Sequence, residues 1–446
     1  MQNERLNLGV LRCTSRFTVV GAALMLLALT GSAWAMKAQP PRCEHWVRAW
    51  GAALMAPEDF EYYKGIGRTF RDVTLRQVVS VSLPTRSLRV WISNEYGSKR
   101  LVIGDAYIAP AVGGSRIDET GNRKLTFGGQ PSIWVPAGGA VVSDTVPMAV
   151  PAGSLLAVSL YLPDSTQGST STVHAEGWRM GYQSVPGDYS AVASLPIESK
   201  LPNYFYIAGV DVRAPRRVAA IVALGDSITD GDGSTPDAGK SWPDDLAQRL
   251  ARAMPGERSV IDMGISGNRL LHESYGPSAL ARVNRDVFAV PGIRYLIVLE
   301  GINDLSGPGS SKEQPVSAED VIAALSQLAN QAHIHGLSVI GGTLTPDFGC
   351  ADCGGMKAEE DREKVDAWIR ESGVFDSVVD FDLAVRDPAD PRRVRAAYDS
   401  GDHLHMNDAG YEAMAQAFDL AIFKSSSVLC SADRANTRQR RDGPEH

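Results

Sequence analysis

The sequence predicts a two-part protein: a β-sandwich, jelly-roll-like in plan, then a parallel sheet with helices on both faces. Three observations carry this. Residues 36–215 consist of short runs that alternate polar and apolar side chains, with no helical periodicity. Residues 216–423 alternate short apolar runs with stretches of helical spacing, which is the pattern of successive β-α units. The chain has 446 residues, 44% of them hydrophobic, ample for a core and too long for one typical domain.

The first segment stands apart from both. Arg5, Arg12 and Arg16 make a basic start, Phe17 to Met36 is uncharged, and Ala33-Trp34-Ala35 has the small-x-small form of a cleavage site. Residues 1–35 read as a signal peptide cut after Ala35, so the product is expected to be secreted or periplasmic. An uncleaved anchor is the alternative, because about 20 apolar residues span a bilayer. Gly21, Thr30, Gly31 and Ser32 weaken such a span, and none is expected after cleavage. Losing Arg5, Arg12, Arg16 and Glu4 would deepen the formal net charge of −8 by two. A chain this acidic argues against a nucleic-acid partner, whose phosphates call for a basic face.

In the β-rich part, Thr74–Ser82 and Ser87–Ser93 alternate around Pro84 and Thr85, which predicts a half-buried antiparallel pair. Leu101–Ile108, Ser132–Val135, Ala140–Val146 and Leu155–Leu162 continue the pattern between Gly- and Pro-bearing turns. From about residue 216 the grammar changes. Strands are expected at Val218–Leu224, Ser259–Ile265, Tyr295–Glu300, Ser338–Leu344 and Val378–Phe381. Helices are expected at Ser241–Met254, Ser278–Phe288, Ala318–His335 and Glu359–Glu371. A last one, capped by Asn407 or Asp408, should end near Phe423. Residues 424–446, polar and carrying Arg438, Arg440 and Arg441, read as a disordered tail.

Loops that follow parallel strands converge at one edge of the sheet, where ligands bind. The first carries Gly225-Asp226-Ser227, the second Gly264-Ile265-Ser266-Gly267-Asn268, the third Glu300-Gly301-Ile302-Asn303-Asp304. The loop before the last helix carries Asp402-His403-Leu404-His405. Asp226 and Ser227 alone would serve as an ordinary helix cap. Together, the four loops hold what acyl-ester chemistry needs. Ser227 is a nucleophile, His405 a general base, and Asp402, three residues back, an acid that can orient the imidazole. His403 is the rival base, but its neighbour Asp402 cannot easily orient it. The backbone N–H groups of Ser227 and Gly267 and the Asn303 amide are candidate oxyanion donors. A metal held by Asp402, His403 and His405 is conceivable, but the sequence shows no clear further ligand cluster.

These motifs resemble the GDSL, or SGNH, serine hydrolases over about residues 218–423. The four name residues fall on Ser227, Gly267, Asn303 and His405. The resemblance implies a three-layer αβα, flavodoxin-like fold with a five-stranded parallel sheet. It also implies a metal-free Ser-His-Asp triad acting on acyl esters, with no cofactor. The β-rich extension is similar to that of one secreted bacterial branch. Met406 departs from the family pattern, which has proline after the histidine.

Asn268, Arg269 and Trp242 are weaker candidates for lining a substrate pocket. Trp91, Trp134 and Trp178 are candidates for a sugar platform, with packing in the core as the competing role. Cys350 and Cys353 are expected to form a structural disulfide, free thiols being the alternative, while Cys43 and Cys430 stay undecided. Two further readings stay open: an acyltransferase, and a carbohydrate-binding protein whose catalytic site has decayed. Acyl length, leaving group and oligomeric state have no code in the sequence.

Overall fold

The computed structural model describes residues 44–57, 66–306 and 314–424. The signal segment, Cys43, Cys430 and the tail beyond Lys424 lie outside the described residues. The β-rich part forms two large antiparallel sheets and two small two-stranded ones, Val173–His174 with Tyr204–Phe205 and Leu101–Ile103 with Ile133–Val135. One large sheet is five-stranded, running Glu44–Gly51, Ile207–Pro215, Thr85–Asn94 and Val146–Val150, with Gly139–Val142 also paired to Thr85–Asn94. The other is seven-stranded and centred on Val73–Val81 and Ser154–Leu162. Their facing apolar side chains, among them Leu75, Val79, Leu88, Val90, Val158 and Val210, form one core.

One expected pairing is corrected. Strands Val73–Val81 and Thr85–Asn94 do not pair with each other. The turn at Pro84 carries the chain from one sheet to the other, where Thr85–Asn94 pairs with Ile207–Pro215. Alternation reports that a strand has a buried face, not which strand lies beside it. Thr74, Arg76 and Gln77 of Val73–Val81 are buried too: Arg76 donates to the carbonyls of Ser115 at 2.8 Å and Val192 at 2.9 Å.

The second part is a five-stranded parallel sheet. In chain order its strands are Ala219–Gly225, Arg258–Gly264, Ile293–Leu299, Ser338–Gly342 and Ser377–Val379. Their spatial order is second, first, third, fourth, fifth. The order reverses between the first and third strands, so the loops leaving them part at a switch point and open a crevice. Every residue of Ala219–Gly225 is buried, which explains its unbroken apolar run.

Of the helix caps, only the last was expected, at Asn407 or Asp408, and the structure places it at Asn407. Ser241 caps Trp242–Ala253, and Ser317 and Asp320 form a capping box for Ala318–Ile334. Three helices differ in extent, the one expected at Glu359–Glu371 beginning earlier, at Gly355. Ala279–Val283 passes into a π-turn at Asn284–Phe288. The last helix stops at Gln416, because Asp419 caps a separate 3-10 turn at Leu420–Phe423.

The two parts share one contiguous core. Strand Glu44–Gly51 runs beside the second parallel strand, and the Ser259 hydroxyl donates to the Arg48 carbonyl at 2.7 Å. Among the described residues, no helix is long and apolar enough to cross a membrane.

Candidate active site

The first parallel strand ends at Gly225, and the chain turns at once into the four-residue helix Ser227–Asp230. Asp226 caps that turn, its carboxylate accepting the Ile228 N–H at 2.9 Å. Gly231 ends it at φ 109°, in the left-handed region that favours glycine. A side chain at Gly225 would meet Thr229 and the Leu299 carbonyl, so the tight exit requires glycine there. Ser227 is thus held at the carboxyl end of the first parallel strand.

The loop before the last helix reaches across to it. His405 Nε2 lies 2.8 Å from Ser227 Oγ, and His405 Nδ1 lies 2.6 Å from Asp402 Oδ2. The other Asp402 oxygen accepts the N–H groups of His405 at 2.8 Å and Leu404 at 2.9 Å. Partial burial opposes ionisation of Asp402, but the His405 contacts and these N–H groups outweigh it. Its carboxyl is held well below the usual carboxylate range. His403 is turned away: it is exposed and bonded to Asp399 at 2.5 Å. Met406 is fully buried, and its neighbours are tied across the loop, Ser400 N–H to the His405 carbonyl and Asn407 N–H to the Tyr398 carbonyl.

Gly267 sits in the loop after the second strand at φ 75°. A Cβ there would stand 2.5 Å from the Tyr275 ring, so the close turn requires glycine. Asn303 is buried in the loop after the third strand, where its amide donates to the Asn268 carbonyl at 3.0 Å. That bond ties the second and third loops together.

Beneath these loops lies a residue the sequence reading missed. Arg282 is buried and donates to the carbonyl of Gly225 at 2.8 Å and of Met263 at 2.7 Å. It also donates to the Asn268 side chain at 3.0 Å, and it stands 3.7 Å from Glu300. One guanidinium therefore fixes the exits of the first two strands and the Gly267 loop. Its sequence signal was the i, i+4 spacing of Arg282 and Asp286.

Acids crowd the same floor. Burial pushes Asp226 up to about 7 and Glu300 well above the carboxylate range. Asp304 is pushed up by burial as well, although it accepts the N–H groups of Leu270 and Leu271. Asp232 is a further missed residue: its Oδ2 takes the Ser266 hydroxyl at 2.6 Å and lies 3.8 Å from His405 Nε2.

The weaker pocket candidates lie in the interior, not on a pocket wall. Asn268 spends its amide on the carbonyls of Tyr275 and Pro277. Arg269 bonds Gln314 and faces Asp304 at 3.7 Å, and Trp242 packs against Phe381 and Phe418. All three are almost wholly buried. Trp91 donates to Asp211 at 2.6 Å, Trp134 is 58% exposed on its strand, and Trp178 lines a cavity away from Ser227. Cys350 and Cys353 are joined by a disulfide. Among the described residues, no group of three or more His, Cys, Asp or Glu side chains is arranged to hold a metal ion.

Residues 223–413 match the GDSL-like Lipase/Acylhydrolase family. The chain is similar to a lipase/acylhydrolase of Enterococcus faecalis (18% identity, 47% of this chain and 100% of the other, TM-score 0.36). It is similar to a GDSL-like lipase of Bacteroides thetaiotaomicron VPI-5482 (16% identity, 46% and 88%, TM-score 0.35). A third likeness is to LAE5, an α/β hydrolase enzyme from the metagenome of Lake Arreo, Spain (23% identity, 47% and 97%, TM-score 0.36). A search of the curated proteins finds no match.

Proposed function

We propose, from the GDSL-like hydrolase domain at residues 223–413, that this protein is an exported serine esterase. The observation that carries the reading is the continuous chain Ser227 Oγ, His405, Asp402, at 2.8 and 2.6 Å. In the tautomer that Asp402 favours, His405 Nδ1–H donates to the carboxylate and Nε2 is free to accept. His405 then takes the Ser227 proton as the oxygen attacks the ester carbonyl. Asp402, held ionised by its contacts, stabilises the imidazolium that results.

The carbonyl oxygen becomes an oxyanion next to the helix that begins at Ser227. Its donors in this reading are the N–H groups of Ser227 and Gly267 and the Asn303 amide. An amide carries two N–H groups, so the bond to Asn268 leaves one for the substrate. His405 next protonates the departing alcohol. Water, deprotonated in turn by His405, releases the acid and restores Ser227. No step requires a metal or cofactor.

Export is supported by the basic start, uncharged run and Ala33-Trp34-Ala35 site. Residues 36–215 act as an accessory β-domain, jelly-roll-like, and residues 216–423 as the catalytic part. The substrate is a carboxylic ester of a carbohydrate or lipid alcohol. The test is the initial rate of p-nitrophenyl acetate hydrolysis by the native protein beside Ser227→Ala. A fall of about a thousandfold or more is expected, because triad members act as a unit. Equal rates near background would sink the esterase reading.

A further inference from the structure

Beside His405 stands a second carboxyl that the triad does not use. Asp232 follows the turn Ser227–Asp230, and its N–H donates to the Ser227 carbonyl at 3.0 Å. Its own carbonyl accepts the Tyr411 hydroxyl at 2.5 Å. Those two bonds fix its backbone against the nucleophile. The side chain is 9% exposed, with Oδ2 3.8 Å from His405 Nε2, the nitrogen that meets Ser227. A negative charge at that distance favours the protonated imidazole, and a protonated base cannot accept from Ser227. A serine mechanism therefore runs best with this carboxyl neutral.

The surroundings of Asp232 supply that state. Glu176, just after strand Val173–His174 of the β-rich part, brings another carboxyl against it. Ser266, from the loop after the second parallel strand, stands between them. Its Oγ lies 2.6 Å from Asp232 Oδ2 and 3.4 Å from Glu176 Oε2. A hydroxyl has one proton, and the shorter contact takes it. Asp232 Oδ1 is buried with no hydrogen-bond partner among the described residues. A proton held between the two carboxyls would satisfy it, and two carboxylates side by side in a buried place cannot both stay ionised.

Burial, and then Glu176, push Asp232 well above the usual carboxylate range, so the proton rests there. Of the other groups around Asp232, Asp230 adds a like charge, opposed by His174 at 3.2 Å, and the Ser266 hydroxyl favours the anion. On its other sides, His405 meets Asp402 and lies in the field of Asp226.

We propose that Glu176 and Asp232 share one proton, and that through this pair the β-rich part keeps the Nε2 side of His405 uncharged and sets the pH range in which the base works. Both are positioning residues that act through His405. The inference rests on the esterase reading and adds to its triad a control reaching in from the other part of the chain.

The test is the pH profile of kcat/KM for p-nitrophenyl acetate, measured on native protein, Glu176→Gln, Asp232→Asn and the double variant, with melting curves beside it. The acid limb of that profile reports protonation of the base. Glu176→Gln removes the neighbouring carboxyl, so Asp232 ionises and the limb should move up by about one to three pH units. Asp232→Asn has nothing to ionise, and its limb should stay at the native position. In the double variant the limb should return to that position, a rescue that a packing role does not predict. A limb unmoved in Glu176→Gln, or moved equally in the double variant, would overturn the proposal.

Should Glu176→Gln fail to fold, the infrared difference between native protein and Asp232→Asn at about pH 7 decides. The C=O stretch of a protonated carboxyl supports the shared proton, and carboxylate bands alone overturn it. Native protein that hydrolyses nothing at any pH would overturn the esterase reading and this control together. Hydrolysis with an unmoved limb would overturn the control alone.

Discussion

Two histidines of one loop make the same local bond and differ in everything around it. His405 Nδ1 lies 2.6 Å from Asp402, and His403 Nδ1 lies 2.5 Å from Asp399. Each acid also accepts backbone N–H groups, Asp402 from Leu404 and His405, Asp399 from Gly401 and His403. The remaining ring nitrogen separates them. That of His405 meets Ser227, 178 residues away in the chain, and only 16% of its side chain is exposed. His403 is 53% exposed, at φ 67°. A histidine–aspartate pair is common chemistry, and what makes one pair a candidate catalyst is the nucleophile the parallel sheet delivers to it.

The widest break of this symmetry comes from the bases themselves. His405→Ala should lower p-nitrophenyl acetate kcat by about 10³–10⁶, as expected for a triad member. His403→Ala, on an exposed turn, should stay within about twofold, the usual scale for surface substitutions. Comparable losses in both variants would mean that the loop, not the His405 contact, sets activity. The acids repeat the comparison one step back. Asp402→Asn should cost about 10⁴ in kcat, because the imidazole would be held in the wrong tautomer. Asp399→Asn should again leave kcat within about twofold. Steady-state kinetics on the four variants, with melting curves as the folding control, decide it.

A smaller loss tests the proposed oxyanion donor. Asn303→Ala should reduce kcat by about 10²–10³, the usual effect of removing one oxyanion donor. KM should move little, since the donor acts on charge that develops only in the transition state. A rise in KM with kcat unchanged would assign Asn303 to ground-state binding instead.

The legible part of this molecule was the part written in local pattern. The run Ala219–Gly225 reads as a buried strand because it is covered on both faces. Asn407 reads as a cap because its side chain competes for backbone N–H groups. Asp402 and His405 were readable because three residues on a loop suffice to close their bond.

What was not legible depends on contacts distant in sequence. Nothing local says that Thr85–Asn94 joins Ile207–Pro215 and leaves Val73–Val81 in the opposite sheet. Arg282 reaches Gly225 across 57 residues, so its role beneath the crevice has only a faint signature. Asn268 and Arg269 sit within or beside a loop motif in sequence, yet their side chains turn inward. Adjacency along the chain is a poor guide to which wall a side chain faces.

A third histidine–aspartate pair carries the comparison into the interior. His174 and Asp230 lie 3.2 Å apart, both buried, and they join the β-rich part to the helix that begins at Ser227. Burial disfavours a charged imidazole, but the Asp230 carboxylate outweighs it and pushes His174 up to about 9. Burial likewise pushes Asp230 up, with the His174 charge opposing the shift. The folded state therefore binds the His174 proton more tightly than the unfolded chain, whose histidine titrates near 6.5. The stabilisation is complete below about pH 6.5 and is lost as pH rises through about 9. Native protein should melt well above His174→Gln at about pH 6, and the gap should close towards about pH 10. A gap that stays constant across that range would mean that His174 contributes packing alone. The exposed pair in the loop before the last helix would then share nothing with the buried one beyond its residue types.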